Sequence, residues 1–432
     1  MKTAMSKEFN ISDTGKSEVV DTKPIEIPTI TPDIQIPEVK LPEISTKKKF
    51  NLKNWIFPIV AFICLFGIGG FYYFGIYRVQ PQPLNKVLSF NQDFISSISL
   101  SNIFKGNLAL LSAPEEPRTE ESPVNGVLFT KTQMDVMMKR RPVAVMTNNH
   151  ADARPLSGMN SADVVIEANA EGGITRIMAI YWSTAPEKVG PIRSIRQYYL
   201  EWAIGYDPLI IHDGCASSDD PRTNSCGNLY SYGVKDLATI GAWRWNDGRR
   251  VAPHNEYNSI SYAWEYAAKM DWDSFPNSFK SWKFKADADI AQRGEKTQVK
   301  LVFHQRLTNS GLYDVIWTYD SSTNTYLRKV GGQADIDQEM NTQVYAKNIV
   351  IQEVSMIQSG DDKGHLIITT IGQGKSTYLM DGKITYGTWK KTSRTDRTTY
   401  YDSEGKEMKF NRGRIWVEMI GTSDGKFAII EQ

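Results

Sequence analysis

The feature that most constrains this chain of 432 residues is a run of 23 residues without a charged side chain, residues 55–77. About 20 apolar residues are enough to cross the hydrocarbon core of a bilayer as a helix. Trp55 and Tyr77 at its two ends match the aromatic residues that anchor such helices at the membrane interface. A cleaved signal peptide has a shorter apolar core close to the N-terminus. A lipoprotein signal is also disfavoured, because Cys64 does not follow a small residue. We therefore predict one transmembrane helix, an uncleaved signal anchor.

The charges that flank this run predict its orientation. On the N-terminal side stand Lys47, Lys48, Lys49 and Lys53, and on the other side Arg78 and Lys86. The cytoplasmic flanks of membrane helices are enriched in Lys and Arg. We therefore expect a single-pass protein of the cell membrane, with its N-terminus in the cytoplasm and its C-terminal domains extracytoplasmic.

The cysteines agree with an oxidising location for the C-terminal part. Cys215 and Cys226 lie close together in the sequence, and outside the cytoplasm such a pair is able to form a disulfide. We predict this disulfide. Two free thiols or a metal site remain alternatives, although His212 is the only further soft ligand near the pair.

The chain divides by composition into five segments. Residues 1–54 carry regularly spaced prolines, which indicates a disordered tail, either a spacer or a docking strip for a cytoplasmic partner. The membrane helix of residues 55–77 is followed by a linker, residues 78–117. We expect two domains beyond it, residues 118–292 and residues 293–432. The predicted fold class is α+β, with a mixed α/β N-terminal domain followed by a mostly antiparallel β domain.

Hydrophobic patterning supports this division. Short apolar runs typical of buried strands occupy residues 142–146, 164–166, 177–182 and 209–211. Helical periodicity covers residues 194–203 and 259–270, each with a serine at its start. Beyond residue 295 nearly every apolar segment has a strand pattern, and Asp-Gly turns separate several of them.

Charge and motif content exclude some functions. The 50 Lys and Arg residues against 49 Asp and Glu leave a net charge of +1, whereas nucleic-acid-binding proteins usually have a basic excess. We therefore expect no nucleic-acid partner. The string GQGKST at residues 372–377 resembles a phosphate loop, but Thr369 replaces the glycine that the Walker pattern requires. No cofactor is predicted.

Four polar clusters in the N-terminal domain supply candidate functional residues. Glu171 lies in a Gly-rich turn and is a candidate general acid or base, with His254 or His212 as its helper. Arg193 and Arg196, three residues apart at an expected helix start, would share one face and bind an anion. The remaining candidates for ligand contacts are Asn149, Arg154, Arg176 and Asn255.

Structural roles are alternatives for all of these residues. Arginines near glutamates commonly form internal ion pairs, and a single histidine is commonly a hydrogen-bonded structural residue. Glu167 and Glu171, four residues apart, could form a carboxylate pair like that of a glycosidase, although two carboxylates in one segment more often serve separate structural roles. Because the sequence lacks a His-Glu-x-x-His helix, no metal site is predicted.

Several of these clusters resemble one known family. The strings RPVAVMTNNH at 141–150, ARPLSG at 153–158, EGGITR at 171–176, GPIRSIR at 190–196 and PHN at 253–255 are similar to the YerB-like family of bacterial envelope proteins. Its domain is the domain of unknown function 3048, with an N-terminal and a C-terminal half. The resemblance covers residues 120–432 and implies two adjoining domains outside the membrane. Many members are lipoproteins, whereas this chain has a predicted transmembrane anchor instead. The resemblance implies no activity.

Two functions remain for the exported part. The first is a membrane-anchored protein that binds an envelope ligand in a cleft lined by Arg, His and Glu, the ligand being glycan, peptidoglycan, peptide or protein. The second is an envelope hydrolase or transferase that acts on glycan or cell wall, with Glu171 as its acid or base. Convergence of the candidate residues on one open cleft would favour a ligand site.

Overall fold

A computed structural model describes residues 116–295, 297–304 and 310–430, apart from the side chain of Ser310. The predicted tail of residues 1–54 and the predicted transmembrane helix of residues 55–77 lie outside these residues, as does the linker up to residue 115. Among the helices that the structure describes, none has the length and apolar character needed to cross a membrane.

The regular structure is mostly β, with a few short helices. The strands before residue 292 are β1 (Arg118–Glu121), β2 (Leu128–Thr130), β3 (Val143–Asn148), β4 (Val164–Asn169), β5 (Thr175–Tyr181), β6 (Leu209–Ile211), β7 (Lys235–Ala238), β8 (Trp243–Arg244), β9 (Glu256–Tyr257) and β10 (Lys283–Lys285). Those after it are β11 (Gln298–Val302), β12 (Val315–Asp320), β13 (Thr325–Val330), β14 (Gln333–Ala334), β15 (Ile336–Asp337), β16 (Thr342–Gln343), β17 (Tyr345–Ala346), β18 (Asn348–Val354), β19 (Met356–Gln358), β20 (Leu366–Ile368), β21 (Gly372–Met380), β22 (Lys383–Lys391), β23 (Thr399–Asp402), β24 (Lys409–Asn411), β25 (Ile415–Gly421) and β26 (Lys426–Ile430). The α-helices are α1 (Lys131–Met137), α2 (Gln197–Ile204), α3 (Ser225–Ser231) and α4 (Ile260–Lys269).

A mixed ten-stranded sheet organises the molecule, in the order β23-β22-β21-β18-β25-β4-β5-β3-β6-β7. This sheet includes strands that precede residue 292 in the sequence and strands that follow it. Parallel pairing joins β18 to β25, β25 to β4, β3 to β6 and β6 to β7, while β5 runs antiparallel between β4 and β3. As a result β3, β4, β6, β18 and β25 all end at one edge, which we call the carboxyl edge.

Both faces of the large sheet are buried. In β3, Val143 and Val145 face one hydrophobic cluster, whereas Ala144 and Met146 face the other, as the alternation of side chains along a strand requires. The first cluster includes residues of a second, antiparallel sheet in the order β14-β13-β12-β11-β26, with β17 also on β13. The other cluster includes aromatic residues of α2, such as Tyr199. A strand buried on both faces shows a continuous apolar run, which explains why β3 to β6 were predictable.

The helix predicted at residues 259–270 is confirmed as α4, and Ser259 caps it by accepting a hydrogen bond from the Tyr262 amide. The start predicted for the other helix is wrong. Helix α2 begins at Gln197, and Arg196 is its N-cap residue. The preceding residues are extended, because Asn148 donates its amide to Pro191 and Ile192 bridges to Thr147. Pairing with β3 therefore prevails over local helical periodicity.

Candidate functional site

Most of the predicted site residues lie near the carboxyl edge, because the chain leaves several strands there. Asn149 directly follows β3, Glu171 follows β4 and His212 follows β6. Arg176, the second residue of β5, lies opposite Asn148, the last residue of β3. Ligands of open α/β sheets commonly bind where strand ends meet in this way. The topology therefore places the polar clusters of the sequence at one end of the sheet.

The segment that carries Arg193 is held between two of these strand ends. The Arg193 amide donates to the Met146 carbonyl at 2.8 Å, and the Arg193 carbonyl accepts from the Asp213 amide at 3.2 Å. Gly190 starts the segment with a φ of +132°, where a Cβ atom would lie 2.8 Å from the Ile192 nitrogen. Only glycine fits this close approach without strain. The backbone of Arg193 is thus fixed by β3 and by the end of β6.

Glu171, Arg196 and Arg176 form an ion-pair cluster. Arg196 binds both carboxylate oxygens of Glu171, with Nε at 2.5 Å from Oε1 and Nη2 at 3.0 Å from Oε2. Arg176 Nη2 lies 3.9 Å from the same carboxylate, and its Nη1 donates to the Ser194 carbonyl at 2.6 Å. Burial alone would raise the pKa of Glu171, but the hydrogen bonds and charge of Arg196, aided by Arg176, lower it below 4.5. A carboxylate held ionised in this way is a poor general acid.

Because Arg193 lies in the extended segment and Arg196 at the helix start, the two do not share a helix face. The predicted pair is therefore separated, with Arg196 bound to Glu171.

Asn149 and Arg154 are tied to buried polar groups. Asn149 Nδ2 donates to Glu167 Oε1 at 3.0 Å and to Thr175 Oγ1 at 2.7 Å. Arg154 Nε donates to Asn149 Oδ1 at 3.2 Å, and its Nη1 donates to the Leu312 carbonyl at 2.9 Å. Both side chains therefore connect the carboxyl edge to the interior and to the second half of the chain.

His212 is buried and has both ring nitrogens engaged. Its Nδ1 lies 2.8 Å from the Gly214 carbonyl, and its Nε2 lies 3.0 Å from Asp236 Oδ1. Asn255 is similarly held, since its Oδ1 accepts from Arg244 Nη1 at 3.2 Å. These two side chains stabilise the loops around the carboxyl edge.

Cys215 and Cys226 form a disulfide in the structure, with their Cα atoms 5.1 Å apart. The bond joins the segment after β6 to the first turn of α3. Because Cys215 also bridges to Ile195, the disulfide supports the segment that carries Arg193.

His254 stacks on His150, a histidine outside the predicted set, and we call these two rings the imidazole pair. Their centroids are 4.6 Å apart with an interplanar angle of 24°. Asn148 Oδ1 accepts from the His150 amide at 3.0 Å, which directs Asn148 Nδ2 at His254 Nδ1, also at 3.0 Å. An amide nitrogen only donates, so His254 Nδ1 is the acceptor. His150 Nδ1 likewise accepts, from the Asp152 amide at 3.2 Å. In the neutral rings, Nε2 therefore carries the proton.

The surroundings of the imidazole pair favour the neutral form of His254. Burial lowers the pKa of His254, and the charges of His150 and Arg193 lower it further, while Asp152 opposes them. His150, Asp152 and His254 also place one possible metal-ligand atom each within 4.8 Å of one another. A metal-bound histidine usually donates from its other nitrogen to an acceptor. Here both Nδ1 atoms accept hydrogen bonds from N–H groups. In these tautomers each Nε2 carries a proton, so it offers a hydrogen-bond donor and no lone pair for a metal.

Arg193 differs from its neighbouring arginines in its surroundings. Its side chain is half-buried and lies near enough to His254 to lower the pKa of that ring. Among the residues that the structure describes, its guanidinium has neither a hydrogen-bond acceptor nor an ion-pair partner, whereas Arg176 and Arg196 share Glu171. Arg193 and the imidazole pair together present only N–H donors.

The sequence did not predict a pair of carboxyl groups, Asp213 and Glu256, whose backbones bond to the segment that carries Arg193. Arg244 Nη2 lies 2.5 Å from Glu256 Oε2 and 3.8 Å from Asp213 Oδ2. Burial raises the pKa of Glu256, and the neighbouring Asp213 raises it further. The sequence offered one indication of these residues, because each directly follows a predicted site residue, His212 or Asn255. Their proximity could not be predicted, because the two carboxyl groups lie 43 residues apart in the sequence.

A cavity of about 410 Å³ lies further along the carboxyl edge, where β4 and β25 end. Its lining includes Asn169, the Gly172 and Gly173 backbone, Met356 and Leu366. Gly172 and Gly173 in this lining directly follow Glu171 in the chain.

Comparisons with known proteins agree with the resemblance found in the sequence. Residues 129–273 match the N-terminal domain, and residues 305–417 the C-terminal domain, of the family described as protein of unknown function (DUF3048). The chain is 31% identical over 317 residues to YerB of Bacillus subtilis (strain 168), a protein that its name describes as a lipoprotein. This match covers 72% of the chain and 90% of the relative. The crystal structure of Bacillus subtilis YerB is similar, with a TM-score of 0.61 and 27% identity over 72% of this chain and all of that one.

Proposed function

Because the chain belongs to the DUF3048 family, whose description assigns no function, we propose from its geometry that it is an envelope protein that binds a ligand at the carboxyl edge. The observation that carries this proposal is the half-buried side chain of Arg193, whose guanidinium has no partner among the described residues although Arg176 and Arg196 are paired. A charge withdrawn from water is costly unless it is paired. A bound ligand would supply the missing partner.

The ligand class follows from the proposed location. An extracytoplasmic site of this kind would meet envelope glycan, peptidoglycan, peptides or other envelope proteins. Arg193, His150 and His254 would contact the ligand, while Arg154, Arg176 and Arg196 would hold the surrounding loops through the contacts described above.

A hydrolase or transferase is the second candidate, and one observation favours it. Glu171 is unsuited as the acid, because its pKa is lowered, but Glu256 has a raised pKa beside Asp213. A carboxyl group whose pKa is raised is better suited to act as a general acid. We favour binding over turnover, because Arg244 already bonds to Glu256.

The membrane arrangement is part of the proposal. Residues 55–77 would anchor the chain, residues 1–54 would lie in the cytoplasm with the proline-rich tail free for a partner, and residues 118–292 and 293–432 would be extracytoplasmic. The lipoprotein name of the relative YerB supports an envelope location. The Cys215–Cys226 disulfide supports it independently, because such bonds persist mainly outside the reducing cytoplasm.

Binding is tested with the full-length chain and purified envelope fragments. The chain, solubilised in mild detergent, is titrated with muropeptides and with wall glycan fragments, and complex formation is followed by calorimetry. We expect Arg193→Ala to weaken binding at least tenfold and the surface control Arg222→Ala to leave it unchanged, since Arg222 is exposed and its ion pair is with the nearby Asp220. Equal binding by both variants would overturn the proposed site.

Turnover and topology need their own measurements. Product release from wall fragments that is lost in Glu256→Gln, but kept in Glu171→Gln, would favour the enzyme over the binder.

Protease treatment of intact cells should digest residues 118–432 and spare a tag placed at the N-terminus. Protection of the C-terminal part would contradict the proposed orientation.

A further inference from the structure

We propose that Arg193, His150 and His254 form a binding site for a phosphate group. This inference rests on the proposed function of the carboxyl edge and names the chemistry of its ligand. The three side chains bring donors from three chain segments: the extended segment before α2, the loop after β3 and the loop before β9.

The donor set fits a tetrahedral oxyanion. Arg193 offers a planar fork of N–H groups, and each imidazole offers Nε2–H, because both Nδ1 atoms already accept hydrogen bonds. A carboxylate has two oxygens, which one guanidinium satisfies on its own. A phosphate group has further oxygens, which the two imidazoles would serve.

The charged groups that face the imidazole pair make the site sensitive to pH. Arg193 and the second imidazole disfavour a proton on His254, and Asp152 favours it. The Asp152 side chain is 73% exposed, so solvent weakens its influence. A bound dianion would reverse this balance and raise the pKa of His254. Binding should therefore take up a proton, and affinity should rise as pH falls.

The phosphate group has several sources in an envelope. It could belong to free phosphate, to a phosphate monoester or to the phosphodiester of a wall polymer or a lipid headgroup. The shared chemistry is the oxyanion. Inorganic phosphate, glycerol phosphate and a glycerol phosphodiester therefore serve as separate probes, with acetate as the carboxylate comparison.

The test is calorimetric titration of the full-length chain with these probes and with sulfate. Sulfate remains a dianion throughout the pH range, so any change in its affinity reports protons taken up by the protein. We expect phosphate and sulfate to bind, acetate to bind at least tenfold more weakly, and sulfate affinity to rise about tenfold between about pH 8 and about pH 6. Glycerol phosphate binding with no phosphodiester binding would assign the ligand to monoesters, and binding of both would extend it to wall polymers and lipids.

Three variants make the result specific. Arg193→Ala should weaken phosphate binding about 10- to 100-fold, in line with the loss of a charge-assisted hydrogen bond. His254→Gln should abolish much of the pH dependence of sulfate binding, and Arg222→Ala should change neither property. Thermal unfolding close to that of the wild type establishes that the His254 variant is folded. If it is not, His254→Asn is measured in its place.

The outcomes separate this inference from the proposed function. If phosphate does not bind, but wall fragments still bind in an Arg193-dependent manner, the phosphate site is refuted and the ligand-binding function stands. If Arg193→Ala changes neither phosphate binding nor the binding of wall fragments, both the phosphate site and the proposed ligand-binding site are refuted. Binding of Zn²⁺ alone that depends on His254, without phosphate binding, would replace the anion site by a metal site.

Discussion

Replacement of Arg328 by Met tests the buried charge network that joins the two halves of the chain. Arg328, on β13, is fully buried, and its Nη2 lies 2.6 Å from Glu167 Oε2 on β4. Its Nη1 donates to Asp335. The guanidinium also lies over the Trp416 ring, 4.9 Å from its centroid. Methionine would keep much of the volume of the arginine stem but would leave two carboxylates without their cation.

The expected cost follows from this environment. Removal of one member of a buried ion pair typically costs about 3–5 kcal/mol, because the remaining charge is buried and unpaired. Here Glu167 and Asp335 both lose their partner, so we expect Arg328→Met to lower the free energy of unfolding by about 4–5 kcal/mol. This is a large part of the total stability of about 5–15 kcal/mol that is usual for a protein.

Glu418→Gln is the matched control within the same network. Burial and the neighbouring Glu167 raise the pKa of Glu418 well above its usual value, which favours the protonated form of this carboxyl. Its Oε1 accepts from Trp317 Nε1 at 2.7 Å, a bond that glutamine preserves. We expect a cost below about 1 kcal/mol for this nearly isosteric change.

Urea unfolding of the full-length chain, followed by tryptophan fluorescence, measures both variants with the slope m held to the wild-type value. A loss below about 1 kcal/mol for Arg328→Met would refute the argument that the network depends on its cation. A loss for Glu418→Gln equal to that for Arg328→Met would refute the assignment of Glu418 as neutral.

Three further predictions concern the surroundings of the site. Glu171→Gln should cost about 1.5–3 kcal/mol at neutral pH, as expected for lost hydrogen bonds to a charged group. Because folding lowers the pKa of Glu171, its ion pair stabilises the fold above pH 4.5, and the deficit of the variant in urea unfolding should shrink as pH falls below that value. Gly190→Ala should cost at least about 1–3 kcal/mol, since alanine would be strained at a φ of +132° and its Cβ would clash, and a thermal melt would detect this. Replacement of Cys215 and Cys226 by Ser should cost about 2–4 kcal/mol, and reductant should then have no further effect on unfolding.

Much of the sheet could be predicted from local sequence. The buried strands β3 to β6 each contain a continuous apolar run, and α4 has both a cap and an amphipathic pattern. The start of α2 could not be predicted in this way. Residues before it have helical spacing, but their backbone groups bond to β3 and to Gly214, partners that are distant in the sequence.

The roles of the site residues depend on the same long-range contacts. Glu167 and Glu171 are four residues apart, yet one bonds to Arg328 in the interior and the other to Arg196 at the edge. Sequence spacing cannot distinguish the buried ion pair of Glu167 from the ion pair of Glu171 at the sheet edge. It also cannot distinguish Arg193 from Arg196, because the difference between them is which one meets Glu171.

Another pairing of this kind is that of His150 with His254, which lie 104 residues apart in the sequence and stack in the structure. Each histidine was recognisable as part of a polar cluster, but only the fold shows that both Nδ1 atoms are occupied by N–H donors.

The central claim is that the carboxyl edge binds an oxyanion through Arg193 and the imidazole pair. Diffraction from crystals of the protein soaked in tungstate, a heavy analogue of phosphate, tests it most directly. We predict an anomalous peak within hydrogen-bond distance of the Arg193 guanidinium and of Nε2 of His150 and His254. A peak bound elsewhere, with Arg193 still unpaired, would contradict the account.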